Sequence, residues 1–332
     1  MVKLTKKYVI GTHVMFYEIE IYKEFIEGIC NMLETIDNKQ NVYIDLCLNM
    51  QENLEKIEDN KHDYIIDCFK DGLLTLKKSG IINNNLKSYI KTKKDDIFFH
   101  TDYRRNLNFD YCKKVDYIIW GETDSLIPKE GLEAIDTLSQ YTNSVEDYKY
   151  IMSFADRKMW DESWNPTVHP KYINHRFIDD EEGHLNPNQA KSKMSIEDMN
   201  KINSEIHDFD FIQIPYTKID GSFLVISSEL IKSGVNIPLA MLYNDDEGLD
   251  ISYNQLHKGN VKQYICKNLL KVHARRHPKK RMYVKNENNN FSFNDSKGNP
   301  FQVFKKLSQT NIQILHGKKG KFYEYNDLKE KI

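Results

Sequence analysis

The stretch VDYIIWGETDSLIPKEG, residues 115–131, sets two acids one residue apart, Glu122 and Asp124, at the mouth of an apolar run. A carboxylate pair at the end of a core strand suits a hard divalent cation, whose remaining positions take phosphate oxygens and water. Acids just before a helix also cap it, and Asp124 or Ser125 could do that instead. A second stretch, FADRKMWDESWNPTVHPKY, places Trp160 and Trp164 four apart among charges. Such rings can stack on sugars or bases, and Asp156 and Arg157 can hydrogen-bond hydroxyls. Core packing competes with that role, since Trp is usually buried. His169, His175 and His184 are spaced too irregularly for a metal set and read as surface residues. The run HARRHPKKRMYVK carries Arg275, Arg276, Lys279, Lys280 and Arg281. It suits a diphosphate or an anionic acceptor such as DNA or a lipid phosphate, or simply a solvated face.

These residues need a frame. KKYVIGTHVMF reads as a first strand. The next stretch reads as an amphipathic helix with Ile21, Phe25, Ile29 and Leu33 on one face. NVYIDLCLNM is a second strand, and DYIIDCFKDGLLTLKKSG is a helix stopped at Gly80. DDIFFHTD is expected as a third strand, YRRNLNFDYCKK as a short helix and VDYIIWGETD as a fourth strand. PKEGLEAIDTLSQYT is a helix with Pro near its start. Strands alternating with helices predict an α/β fold with a mostly parallel sheet covered on both faces. YKYIMSFADRKMW adds a strand. Residues 161 to about 210 then read as a long functional loop carrying one helix, SIEDMNKINSEI. GSFLVISSELIKSG is strand then helix, and NDDEGLDISYNQLHKG is a helix opened by acids, which suits the positive end of its dipole. KQYICKNLLKVHARRH is a last strand. From Pro278 onward the chain is polar and basic, and KNENNNFSFNDSKGN reads as a flexible turn.

The chain has 332 residues, enough for one large domain or two modest ones. With 40% hydrophobic and 29% charged residues and a net charge of −2, it reads as a globular protein with no overall basic excess for nucleic acid. No apolar run approaches the roughly 20 residues of a membrane helix. The N-terminus lacks the apolar core of a signal peptide, and the five scattered cysteines form no C-x-x-C pair. The expected location is therefore cytoplasmic, with reduced, buried thiols.

Order and spacing together resemble the inverting nucleotide-sugar glycosyltransferases of family 2, which have the GT-A fold. In that family an Asp-x-Asp motif ends a strand and is followed by Pro and a helix. YIIWGETDSLIPKEGLEAI is similar, with Glu122 in place of the first Asp. The resemblance implies a Mn²⁺ or Mg²⁺ site at Glu122 and Asp124, with Thr123 between them among the residues that meet the nucleotide. Asp124 would coordinate directly, while the longer Glu122 would reach the ribose or a metal-bound water. The family's upstream Arg-Asn pair matches Arg105 and Asn106, and Arg104 or Arg105 would meet the diphosphate. IDGSFLVISSELIKSG is similar to the block that shapes the acceptor side and contains Gly221. NDDEGLDISYNQLHKG looks like the Glu-Asp-x-x-x-Leu block, with Asp245 at the Glu position, Asp246 at the catalytic-base position and Leu249 following. The Arg expected on that helix would fall near Ser252 and is missing. KNLLKVHARRH resembles the late strand whose His completes the metal site, with His273 first choice and His277 second.

The first strand then faces the nucleotide. VIGTHVMFYE offers Gly11, Thr12 and His13 at its end, although the family's Pro and Asn are absent. Gly11 would let backbone approach the ligand and Thr12 would bond base or ribose; an ordinary turn is the alternative. At the second strand end neither Asp45 nor Asn49 maps cleanly onto the family's Asp. The resemblance implies a GT-A domain over residues 1–277, with a donor half to about 150, an acceptor half after it, and an extension over 278–332. It implies a nucleotide-sugar donor, commonly a UDP-sugar, and a glycan, lipid-linked glycan or modified nucleic acid as acceptor. Some features also resemble virus- and phage-encoded members. A nucleotidyltransferase on the same fold would carry a Gly-rich basic loop after the first strand, which GTHVMFYE lacks. A non-catalytic nucleic-acid or glycan-binding module is the remaining alternative.

Overall fold

The computed structural model describes residues 1–52, 56–92, 98–144, 148–157, 161–174, 194–273, 279, 282–285, 300–324 and 327. Its first half alternates strand and helix. β1 (Tyr8–Met15) is followed by α1 (Ile19–Glu34), β2 (Val42–Asn49) by α2 (His62–Lys78), and β3 (Leu86–Lys91) by α3 (His100–Tyr111). β4 (Tyr117–Gly121), the short β5 (Ser125–Leu126) and α4 (Gly131–Ser144) complete that half. The second half contains β6 (Ile151–Ala155), α5 (Ile196–Asn203), β7 (Phe211–Ile214), β8 (Leu224–Ser227) and α6 (Ser228–Lys232). It ends with α7 (Asp245–Leu256), β9 (Gln263–Leu270), β10 (Val272–His273) and α8 (Pro300–Leu315).

One 8-stranded sheet runs β3-β2-β1-β4-β8-β6-β9-β7. All its strands point the same way except β8 and β7, which pair antiparallel with their neighbours. This is the mostly parallel α/β architecture that the alternation of elements predicts. The strands are apolar on both faces because helices cover both. On β4, Tyr117 and Ile119 join the core beneath α1 and α4, while Ile118 and Trp120 join the core beneath α3 and α7. Helix α1 buries Ile21, Phe25, Ile29 and Leu33, the face read from the spacing. The glycine stops hold: Gly80 and Gly234 have φ of +92° and +102°, the left-handed conformation that releases a helix.

The third strand is not where the apolar run places it. Phe98 and Phe99 are irregular and buried, and the chain turns at once into α3, whose Asp102 carboxylate accepts from Phe99 N at 3.0 Å. The pair therefore anchors a helix entry. The actual third strand, LKSYIK, lies at the sheet edge with Lys87, Ser88 and Ile90 exposed and none of its residues fully buried, so it carries no apolar run. β7, the opposite edge, and α8 are further elements that the sequence reading did not place. Parts of the 278–332 segment dock on the domain. Val284 and Leu307 join the core, Tyr283 Oη donates to Glu20 Oε1 at 2.7 Å, and Asn311 Nδ2 donates to Ala240 O at 2.7 Å.

Candidate active site and metal centre

Five elements converge beyond the carboxyl end of β4. The strand itself delivers Glu122, Thr123 and Asp124. β5 follows and pairs antiparallel with β10, in a register that sets His273 opposite Ser125. This two-stranded clip brings the late histidine to the acid pair. The segment entering β8 supplies Asp220 and Gly221, α3 supplies Arg104, and the first turn of α7 supplies Asp245 and Asp246.

The imidazole of His273 lies between carboxylates. Its Nε2 is 3.0 Å from Glu122 Oε2 and 3.8 Å from Asp124 Oδ1, and its Nδ1 is 3.1 Å from Asp220 Oδ1. One ligand atom from each of Glu122, Asp220 and His273 fits within 4.8 Å of the others. Carboxylate oxygens with one imidazole are a donor set that Mn²⁺ accepts well, and the surplus of acids over bases around them favours a dication. Asp124 is buried beside this group, and Thr123 is turned away, its hydroxyl donating to Glu18 Oε2 at 2.7 Å.

Arg104 organises the other side. Its guanidinium is buried over the Trp120 ring, with Cζ 4.8 Å from the ring centroid. It donates to Glu122 Oε1 at 2.8 Å and to Gly221 O at 3.0 Å, pairs closely with Asp245, and lies 3.5 Å from Asp246 Oδ1. Gly221 leaves no room for a side chain, since a β-carbon there would stand 2.8 Å from Glu122 Oε1 and press on the guanidinium. His100 Nε2 closes on Asp245 Oδ1 at 3.2 Å.

The two neighbouring aspartates titrate in opposite directions. Burial opposes the charge on Asp245, yet Arg104 and His100 hold its carboxyl down at about 2. Burial and then the Asp245 charge push Asp246 up to about 8. The Asp246 side chain is 34% exposed against 8% for Asp245, so Asp246 is the one a substrate can reach. Burial disfavours the His273 cation, but Asp220 and Glu122 hold its pKa up at about 10. Glu122, despite burial, is kept well below the ordinary range by Arg104 and His273. Asp220 is kept low, against burial, by Lys271 and His273.

Several residues singled out in the sequence lie elsewhere. Arg105 is spent on structure. Its guanidinium donates to Ile237 O (2.9 Å), Pro238 O (3.0 Å), Met241 O (2.9 Å) and Asp102 Oδ1 (2.8 Å). Adjacent residues on a helix face different directions, so Arg104 enters the site and Arg105 ties down the segment leading to α7. At Gly11 the close approach comes from the chain itself, where Leu107 and Tyr103 of α3 fill the space a side chain would need. Thr12 is fully buried, and its hydroxyl meets no partner among the described residues. His13 is buried against Phe98 and Tyr103 and faces Asn49 Nδ2 at 3.2 Å. Burial, then His100 and Arg104, keep its pKa well below the ordinary value, so it is neutral.

Asp45 is a structural hub that accepts from Tyr103 Oη at 3.0 Å and Tyr111 Oη at 3.1 Å. Asp156 is buried at the end of β6, where burial raises its pKa, and its Oδ1 accepts from Arg157 N at 2.7 Å. Trp164 is half-buried, with Lys218 Nζ 5.2 Å from its ring centroid. His169 is buried, not at the surface, with Nε2 3.1 Å from Asn268 O. Trp160, His175, His184, His277, Arg275, Arg276, Lys280 and Arg281 lie outside the described residues. Sequence reasoning missed Asp220, Lys271 and His100. Asp220 and Lys271 each left a trace, Asp220 directly before Gly221 and Lys271 two residues before His273, both in blocks already singled out.

No family model matches the chain, and no curated protein matches it. Among solved structures it is similar to a crystal structure of GalNAc-T7 with UDP, GalNAc and Mn²⁺, at a TM-score of 0.41 and 8% identity. That alignment covers 98% of this chain and 54% of the other, so the chain spans about half the length of that protein.

Proposed function

We propose that this protein is a metal-dependent, inverting glycosyltransferase that moves a sugar from a nucleotide-diphosphate donor, a UDP-sugar, to an acceptor hydroxyl. The observation that carries this reading is the meeting of Glu122, Asp124 and His273 beyond the carboxyl end of β4, with Asp246 nearby on α7. In an α/β sheet that end of the strands is where ligands bind.

Glu122, Asp124 and His273 would hold the cation, Mn²⁺ or Mg²⁺. Once bound, it supplies Lewis acidity against the negative charge that grows on the departing diphosphate. Arg104 keeps the acids in place, because its donors are already committed to Glu122, Asp245 and Gly221 O. Asp246 serves as general base and takes the proton of the acceptor hydroxyl at its carboxylate as the new glycosidic bond forms. Asp245 is the fixed counter-ion of Arg104 and His100. Two carboxylates driven apart in pKa by their surroundings are what separates a proton acceptor from a structural anion. A single base on the acceptor side and in-line displacement give inversion.

A panel of nucleotide-sugars, followed by thermal shift with and without Mn²⁺, tests the reading. Stabilisation by one donor class only when Mn²⁺ is present supports it. The same panel with no response at all would favour a non-catalytic binding module.

A further inference from the structure

His273 presents its two ring nitrogens to two different environments. Nε2 faces Glu122 and Asp124, and Nδ1 faces Asp220. Asp220 is in turn held by a buried ammonium. Lys271 Nζ donates to Asp220 Oδ2 and Ser222 Oγ, each at 2.7 Å, and to Ser222 O. All three ammonium donors are thus engaged on one side of the histidine. Ser222 completes the clamp, its N–H and hydroxyl donating to Asp220 Oδ1 at 3.1 Å and 2.9 Å. Lys271, Asp220 and Ser222 are all buried.

We infer that Asp220 and Lys271 are positioning residues: Asp220 orients His273 through Nδ1–H so that Nε2 alone faces the cation, and Lys271 fixes Asp220. This rests on the metal site of the proposed glycosyltransferase. Asp220 falls within reach of a three-ligand set with Glu122 and His273, yet its oxygens are already committed. Oδ2 is held by Lys271 and Oδ1 by Ser222. A carboxylate neutralised by a buried lysine is a poor ligand for a dication and a good orienter for an imidazole. A histidine that ligates a metal usually donates its other ring N–H to such a carboxylate. Nδ1 faces Asp220 Oδ1 at 3.1 Å, and a small rotation of the ring would align its N–H with that oxygen. Lys271 and His273 lie within three positions of each other, Lys271 just before β10 and His273 at its end.

The test uses the full-length protein with nitrogen-labelled histidine and Cd²⁺, a diamagnetic ion near Mn²⁺ in size. The long-range proton–nitrogen spectrum should show His273 bound through Nε2, with Nδ1 still carrying its proton. Binding through Nδ1 overturns the inference and leaves the metal site standing. No cadmium binding at His273 in either mode overturns the metal reading itself. Affinity for Mn²⁺, read by paramagnetic resonance of the free ion, should fall about 10- to 100-fold in Asp220→Ala. Asp220→Asn keeps an acceptor for Nδ1–H and should recover most of that loss; equal losses in both variants would instead mark Asp220 as a direct ligand. Lys271→Met together with Asp220→Asn removes the buried charge pair as a unit, so the fold is spared. In that background Nε2 should still be the bound nitrogen; a switch to Nδ1 would contradict the orienting role of the amide oxygen.

Discussion

His273 Nε2 lies 3.0 Å from Glu122 Oε2, although the two residues come from strands far apart in the chain. The contact exists because β10 pairs with β5, the two-residue strand directly after the acid pair. A central strand of the sheet leads into the acids, and a return strand clipped beside it delivers the imidazole.

Asp246→Asn should reduce transfer by about 10²- to 10⁴-fold, the usual contribution of a general base. Its affinity for the nucleotide should stay within a few-fold of the unaltered protein, since Asp246 stands on the acceptor side. Single-turnover assays with calorimetry of UDP binding separate the two effects, and unchanged turnover would refute the base assignment.

The pH dependence follows from the same carboxyl, whose pKa is raised to about 8 by burial and by Asp245. As a base it works only when deprotonated, so kcat/KM should rise with pH through a single limb. With the cation in place that limb lies at or below about 8. Stability runs the other way. A group that binds its proton more tightly in the folded state contributes stability in full below its unfolded pKa and loses it as pH rises through its folded pKa. The melting temperature of Asp246→Asn relative to the unaltered protein should therefore climb between about pH 4 and about pH 8 and level off above that. A constant difference across that range would refute the raised pKa.

Gly221→Ala should damage both function and stability, because its β-carbon meets Arg104 and Glu122. Overpacking of this kind costs about 1–3 kcal/mol, which denaturant unfolding measures directly. Mn²⁺ affinity should fall with it, since Glu122 is displaced. A variant with native stability and metal affinity would show that the pair tolerates separation.

Arg105→Lys should lower stability by about 1–3 kcal/mol and leave KM for the donor unchanged. A lysine cannot span the three carbonyls and one carboxylate that the guanidinium holds. Loss of donor affinity with stability intact would return Arg105 to the diphosphate role.

Much of this architecture is legible in the sequence. Buried strands with apolar residues on both faces, as in β2 and β4, announce themselves, and so do helices that end on glycine. Edge strands do not: β3 buries none of its residues fully and carries lysines, so its sequence resembles a loop. The acids at residues 122, 124, 245 and 246 stood out because they sit at element ends. Asp220 and Lys271 did not, since their roles depend on burial and on a neighbour distant in sequence, and a lone Lys or Asp gives no sign of either. Of two adjacent arginines the sequence offered no way to choose, because the choice depends on which side of α3 faces the site.

The most direct test of the central claim is calorimetric titration of UDP into the protein with and without Mn²⁺. The account predicts tighter binding with the ion, and loss of that gain in His273→Ala. Equal affinity under both conditions would contradict a metal site at Glu122, Asp124 and His273.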